Sequence, residues 1–275
     1  MNPDFRLPPF DQLAAFVDLF DSGWATDLSA LNRHAARRLL KGLHFGFIDP
    51  LQPDGLHYEA RIAERGEIAM RPGSWHDFYG ALMWLAFPLS KAAINHCQVA
   101  DLRVVGPKQR TRHQQAITHV DEAGLVLAFD ARAPIERLYE HDWQALLFSE
   151  REAWARWTEI HVIGHSLFEI RHQRPHDLLA AKVLPVRVDA DYWLQDGETR
   201  RTRLDAAVAE GLTDHSLAAD PKDLPTLPLS AIAGWDARNV DPDFVASAGC
   251  FRPRPPGRVY AQPVDIGIGI ATPTL

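Results

Sequence analysis

Histidines and carboxylates at spacings suited to acid–base or metal chemistry come from three separate stretches of the chain. His76 and Asp77 fall at the expected start of a helix, where an imidazole and a carboxylate can form a proton-transfer pair or supply two metal ligands. His119 and Asp121 follow in a second stretch. In the third, His165 and Glu169 stand four residues apart. On a helix that spacing puts both on one face, where they can bind one ion or pair with each other. On a strand they would lie about 13 Å apart, at about 3.3 Å per residue, too far to cooperate. Arg110, Arg112 and His113, with Lys108 before them, form a dense positive cluster suited to capturing a phosphate or carboxylate.

Each group also has a plainer reading. Ser74-Trp75-His76-Asp77 has the S-x-x-D spacing of a capping box, a device that contributes about 1 kcal/mol and would occupy Asp77 but not His76. Asp121-Glu122-Ala123-Gly124 reads as a turn, Asp bonding the backbone and Gly supplying positive φ. Arg171 can engage Glu169 in a surface ion pair. The basic cluster, and a second one at Arg200, Arg201 and Arg203, can be solvated faces. Trp75, Trp84, Trp143, Trp154 and Trp157 recur at helical spacing and are expected in the core.

The elements that must carry these residues follow from periodicity and punctuation. Apolar residues recur at helical spacing over 10–21, and a second helix is expected from about Leu28 to Lys41, capped by Thr26 or Asp27. His57 to Met70 alternates at Tyr58, Ala60 and Ile62 and carries Glu64-Arg65-Gly66, which reads as a β-hairpin. A helix should begin near Trp75 and stop or kink at Pro88, with Ser90 capping a short second helix over Lys91 to His96. The first is apolar on nearly every side and therefore belongs in the middle of the fold. Residues 116–129 look like two extended runs about the Asp-Glu-Ala-Gly turn. An amphipathic helix is expected over 142–160, a strand over Lys182–Val188 with an edge proline, and a helix over Thr202–Leu212. The following segment His161–His172 fits helix or strand. Nine of the 20 prolines fall between Pro221 and Pro273, so 221–275 is expected to be an extended tail packed on the body. Without a regular βαβ rhythm, the fold class is α+β: a single domain over 1–275 with a buried central helix, several amphipathic helices and short antiparallel strands.

Composition sets the outer bounds. At 275 residues, 46% hydrophobic and 24% charged, the chain can bury a large core without a metal or disulfide staple. A net charge of −7 and a pI near 6.0 argue against a wholly nucleic-acid-binding surface. Cys97 and Cys250 are too far apart in sequence to suggest a disulfide framework, and read as reduced buried thiols. The first residues lack a signal-peptide pattern, and Phe78–Ile94 falls short of a membrane span, so a cytoplasmic location with no membrane partner is expected. No phosphate-binding P-loop, dinucleotide glycine fingerprint, nucleophile elbow, HExxH or paired CxxC occurs, and Gly267-Ile-Gly-Ile does not open a helix. No nucleotide cofactor is therefore expected, and a divalent metal stays open.

Trp75-His76-Asp77-Phe78, followed by Ala81, Trp84, Phe87-Pro88, Lys91 and Asn95, resembles the signature of a bacterial family catalogued as domain of unknown function 3025. Thr118 with Asp121-Glu122 and Gly124, then Gly164-His165 with Glu169, then Gly234-Trp235, Asn239, Phe244 and Phe251-Arg252-Pro253 fit the same pattern, over about residues 45–255. One departure is Gln114-Gln115, where the family carries an Arg-Asp pair. The resemblance brings no activity with it. From the residues themselves, the expected function is a hydrolase acting on a small or phosphate-bearing substrate. His76, Asp77, His119, Asp121, His165 and Glu169 would form the site, with Arg110, Arg112 and His113 binding the substrate. The alternative is a non-enzymatic scaffold that docks an acidic partner or nucleic acid through its basic clusters. Oligomeric state is left open.

Overall fold

The apolar helix expected at the centre of the molecule is there, and much of the described chain packs around it. The computed structural model describes residues 2–38, 40, 42–49 and 55–266. A 3₁₀ turn over Phe10–Phe16 leads into α1 (Val17–Phe20) and then α2 (Ser29–Arg37). Asp27 starts α2, its Oδ1 accepting from the Ser29 amide and hydroxyl. The helix stops at Arg37, short of the expected Lys41, a residue outside those described.

β1 (His44–Phe47) pairs in parallel with β2 (Glu67–Met70), and between them α3 (Tyr58–Arg65) replaces the expected hairpin. Glu59, Ala60, Arg61, Ala63, Glu64 and Arg65 are strong helix formers, and three alternating apolar residues are too few to outweigh them. His57 caps the start, its Nδ1 accepting from the Glu59 amide at 3.3 Å, and Gly66 closes the end at φ 65°. The Glu-Arg-Gly that resembled a hairpin turn is a helix terminus.

α4 (Trp75–Ala86) is the central helix, with every residue from Ala81 to Ala86 buried. Pro88 does not kink it but occupies the first turn of α5 (Pro88–Val105), where its missing N–H costs nothing. Ser90 is therefore inside a long helix rather than capping a short one. The cap comes from far away: the Asp205 carboxylate accepts from the Leu89 and Ser90 amides at 2.9 and 2.8 Å and from the Ser90 hydroxyl at 2.6 Å.

α6 (Arg112–Ala123) and β3 (Gly124–Phe129) replace the two extended runs expected over 116–129. Thr111 and Gln114 form a reciprocal capping box at the start of α6. After α7 (Ile135–Glu140), the amphipathic stretch at 142–160 breaks into a π-turn over Ala145–Ser149, α8 (Arg151–Trp157) and β4 (Thr158–Val162). α9 (His165–Gln173), β5 (Ala180–Arg187) and α10 (Gly197–Thr213) follow, then β6 (Thr226–Pro228), α11 (Pro242–Ser247) and β7 (Val264–Asp265).

The class is α+β, as expected. The larger sheet runs β4-β3-β5-β6, with β7 also on β5. Pairing within it is mixed: β3/β4 and β5/β6 are antiparallel, β3/β5 and β5/β7 parallel. Pro185 belongs to an inner strand rather than an edge. It is tolerated because it falls between the β6 pairing at 180–182 and the β7 pairing at 186–187, where no ladder bond is required. The proline-rich segment packs on the body through to Ile266, with Arg252 O accepting from Trp143 Nε1 at 2.8 Å. Its remainder, including Gly267-Ile-Gly-Ile, lies outside the described residues. Trp84, Trp143 and Trp154 are core residues, whereas Trp75 and Trp157 are only partly covered. Cys97 is buried and Cys250 half-buried, and both are free thiols. Among the described residues, no helix is long and apolar enough to cross a membrane.

Burial raises the Asp205 carboxyl to about 6, against the pull of the hydrogen bonds it accepts from Ser90 and Leu89. The folded protein thus holds this proton more tightly than the unfolded chain, and the group's contribution to stability falls as pH rises from about 4 to 6. Compared with Asp205→Asn, which cannot titrate, the wild type should lose roughly 2–3 kcal/mol across that window in urea unfolding. Parallel pH profiles for the two proteins would refute this.

Candidate functional site

Two helix ends are pressed together with no room for a side chain between them. The Gly164 amide donates to Gly124 O at 2.8 Å, so the β4–α9 junction lies directly on the α6–β3 junction. A Cβ on Gly164 would come within 2.4 Å of the Gly124 nitrogen and 2.5 Å of Ala123 Cα. On Gly124 a Cβ would meet Val120 O at 2.4 Å. This close approach delivers His165, the first residue of α9, onto the last turn of α6.

There His165 Nδ1 donates to Asp121 O at 2.7 Å. Its Nε2 points at His76 Nε2, 3.0 Å away in the first turn of α4, and stands 3.7 Å from Glu122 Oε2. His76 Nδ1 in turn donates to Glu169 Oε2 at 2.9 Å, one turn along α9. The Ser166 hydroxyl donates to Glu122 Oε2. One ligand atom from each of His76, Glu122 and His165 lies within 4.8 Å of the other two.

The hydrogen bonds fix both imidazole tautomers. A carboxylate and a carbonyl oxygen can only accept, so each Nδ1 carries a hydrogen, and in the neutral rings each Nε2 presents a bare lone pair. Two nitrogens and a carboxylate oxygen therefore face one point, an arrangement that suits a cation, either a metal ion or a proton shared by the two rings. Burial favours the neutral form of His165, although Asp121 pulls the other way. Donation of the other ring N–H to a carboxylate or a backbone carbonyl is also the habit of metal-binding histidines. The 3.0 Å between the two Nε2 atoms, with Glu122 Oε2 3.7 Å from that of His165, would allow all three to hold one divalent ion.

These groups open onto a cleft of about 360 Å³ whose walls include Tyr58, Glu59, Lys91, Asp121 and Arg110. Lys91, buried on α5, is bonded to the Asp121 carboxylate. Burial works to raise Asp121, but Lys91 and His165 beside it prevail and hold it below the usual range. The carboxylate that ties α6 to α5 thus belongs to the residue whose carbonyl orients His165. Asn95, one turn beyond Lys91, donates to Glu59 Oε2 at 2.6 Å. Burial, then the charge of Asp121, raises the Glu59 carboxyl.

Of the residues proposed from sequence, the fold brings together His76, Asp121, His165 and Glu169. Glu169 orients His76 instead of sharing a ligand with His165. Asp121 is helical rather than part of a turn, and contributes through its carbonyl and its bond to Lys91. Asp77 lines the cleft, and the Ser74 hydroxyl accepts from its amide at 3.2 Å. Its carboxylate is taken by Arg71, at 2.9 and 2.7 Å from Nε and Nη2. Those bonds outweigh burial and keep it ionised. His119 does not join the site: it is exposed, and slight burial and Lys182 push its ring toward the neutral form. Two residues before Asp121 on α6, it lies on a different face of the helix from that residue. Arg112 is bonded to Asp220, and His113 Nδ1 to Asp101 at 2.8 Å, so neither is available as an anion clamp. Arg110 remains on the cleft wall. The second basic cluster is also neutralised, Arg200 by Glu159 and Arg203 by Asp189.

Sequence reasoning missed Glu122, Lys91, Asn95 and Glu59 as working residues. The Thr111-x-x-Gln114 spacing signalled a helix start, and a helix over 112–123 would have put Asp121 and Glu122 together at its end.

Residues 44–255 match the family described as "Protein of unknown function (DUF3025)", well over half of the chain, and the chain belongs to that family. No curated protein and no solved structure matches it.

The tautomers can be read directly. In nitrogen-15 spectra at neutral pH, His76 and His165 should both show a protonated Nδ1 and a bare Nε2. In Glu169→Ala only His76 should lose that preference. A wild-type His76 protonated at Nε2 would remove the convergence.

Proposed function

We propose that this DUF3025 member is a metal-dependent hydrolase of small polar substrates, in which His76, His165 and Glu122 hold a divalent ion. The observation that carries the reading is the meeting of two bare Nε2 lone pairs, 3.0 Å apart, with the Glu122 carboxylate. Three protein ligands leave a coordination position for water, and a bound divalent ion both acidifies that water and polarises a scissile carbonyl or phosphoryl group. The chain's own residues do the rest. Glu169 and the Asp121 carbonyl aim the two rings, and Ser166 aims Glu122. The Lys91–Asp121 bond pins the last turn of α6 against α5.

Glu59 is assigned to proton transfer by elimination. Asp77 is held by Arg71, Asp121 by Lys91 and Glu169 by His76, whereas Glu59 meets only the neutral Asn95 amide and keeps Oε1 without a partner among the described residues. Burial makes it a stronger base than an exposed carboxylate. The scaffold alternative is weaker, because most of the basic side chains it needs are paired with acids. The two free thiols are consistent with a reducing, cytoplasmic setting.

Elemental analysis after exposure to Zn²⁺, Mn²⁺, Co²⁺ or Fe²⁺ should find about one ion per chain in the wild type and none retained in His165→Ala. Glu169→Ala should weaken binding roughly 10–100-fold. Equal, substoichiometric uptake by wild type and His165→Ala would sink the metal assignment. The loaded protein should hydrolyse at least one member of a panel of phosphate esters, carboxylic esters and amides. Against that substrate, Glu59→Gln should lose about 10²–10⁴-fold in kcat with metal content unchanged. A fully loaded protein inert to the whole panel would overturn the hydrolase assignment.

A further inference from the structure

Three fixed cations line the cleft, and they are not equivalent. Lys91 is buried and bonded to Asp121, and Arg71 is held along its Nε–Nη2 edge by Asp77. Arg110 is exposed on the segment between α5 and α6, and pairs with no carboxylate among the described residues. Its neighbour Arg112 is satisfied by Asp220. A solvated guanidinium on the wall of a cleft otherwise rich in carboxylates presents a planar fork of donors that no protein acceptor occupies.

A second donor faces the same space. His57 Nδ1 accepts from the Glu59 amide, so in the neutral ring the hydrogen sits on Nε2, and His57 also lines the cleft. The walls that carry Glu59, Asp121 and Glu122 suit a cation, whereas Arg110 and His57 offer donors only. The lining therefore combines carboxylates with donors that no acceptor of the protein occupies at Arg110.

From this asymmetry we infer that the substrate carries a phosphate-type oxyanion, and that Arg110 is the residue that anchors it. This rests on the metal-dependent reading above and narrows its substrate class. A phosphate group can take both N–H bonds of a guanidinium in parallel and still has oxygens left for a further donor. A cavity of about 360 Å³ lined both by Arg110 and by His76, Glu122 and His165 has room for a phosphorylated small molecule. A neutral substrate would leave the fork empty.

Inorganic phosphate is the probe, titrated calorimetrically into metal-loaded wild type, Arg110→Ala and Arg110→Lys, with acetate as the planar oxyanion for comparison. Metal content is measured on the same samples. Wild type should bind phosphate more tightly than acetate. Arg110→Ala should weaken phosphate about tenfold or more, and Arg110→Lys should recover part of that loss, all with metal content unchanged. Arg110 is exposed on a connecting segment, so the variants should fold, and their unfolding curves check it. Phosphate binding equal in wild type and Arg110→Ala overturns the inference while leaving the ion in place, as would a preference for acetate or no binding at all. A chain that takes up no metal yet shows Arg110-dependent phosphate binding overturns the metal reading and leaves the anion site standing.

Discussion

The site exists because two pieces of backbone touch. Gly164 and Gly124 bring the start of α9 within hydrogen-bonding distance of the end of α6, and neither position has room for a Cβ. Everything polar follows from that contact. It puts His165 against the Asp121 carbonyl, sets Glu122 beside it, and holds α9 where Glu169 can reach across to His76. A methyl group in the gap would have to push the helices apart, and hydrogen bonds tolerate far less displacement than apolar contacts do. The glycines are the geometric condition for the cluster, although neither contributes a side chain to it.

The central helix supplies the opposing wall. α4 is apolar nearly all round and fixed on its flanks by α5 and α9, so His76, at its exposed first turn, is mounted on a rigid rod. Lys91 and Asn95, one turn apart on α5, reach Asp121 and Glu59 respectively. Side chains from α3, α4, α5, α6 and α9 thus meet at one cleft, and each is held by a partner from another element. A cluster assembled this way resists reorganisation.

Much of this was legible in the sequence where one local signal decided the outcome. The buried helix after Ser74, the break at Pro88, the strand around Pro185 and the α+β class all followed from apolar patterning and punctuation. His76, His165, Asp121 and Glu169 stood out as chemistry-bearing residues, and they do converge. What was not legible turned on competition between periods. Tyr58, Ala60 and Ile62 alternate as a strand would, yet the helix formers around them prevail. Asp121-Glu122-Ala123-Gly124 has the composition of a turn, yet Thr111 and Gln114 had already begun a helix that runs through it. That second misreading hid Glu122 and gave His119 a direction it does not have. Pairings such as Arg112 with Asp220 lie 108 residues apart and leave no local trace.

Asp205 carries a consequence for the order in which the molecule is made. The amides that open α5 receive their acceptor from a helix 115 residues further along the chain. During synthesis, the segment bearing Lys91 and Asn95 leaves the ribosome long before the carboxylate that will finish it. Until α10 has emerged and docked, the start of α5 must be satisfied by water, and the cleft wall it supports is provisional.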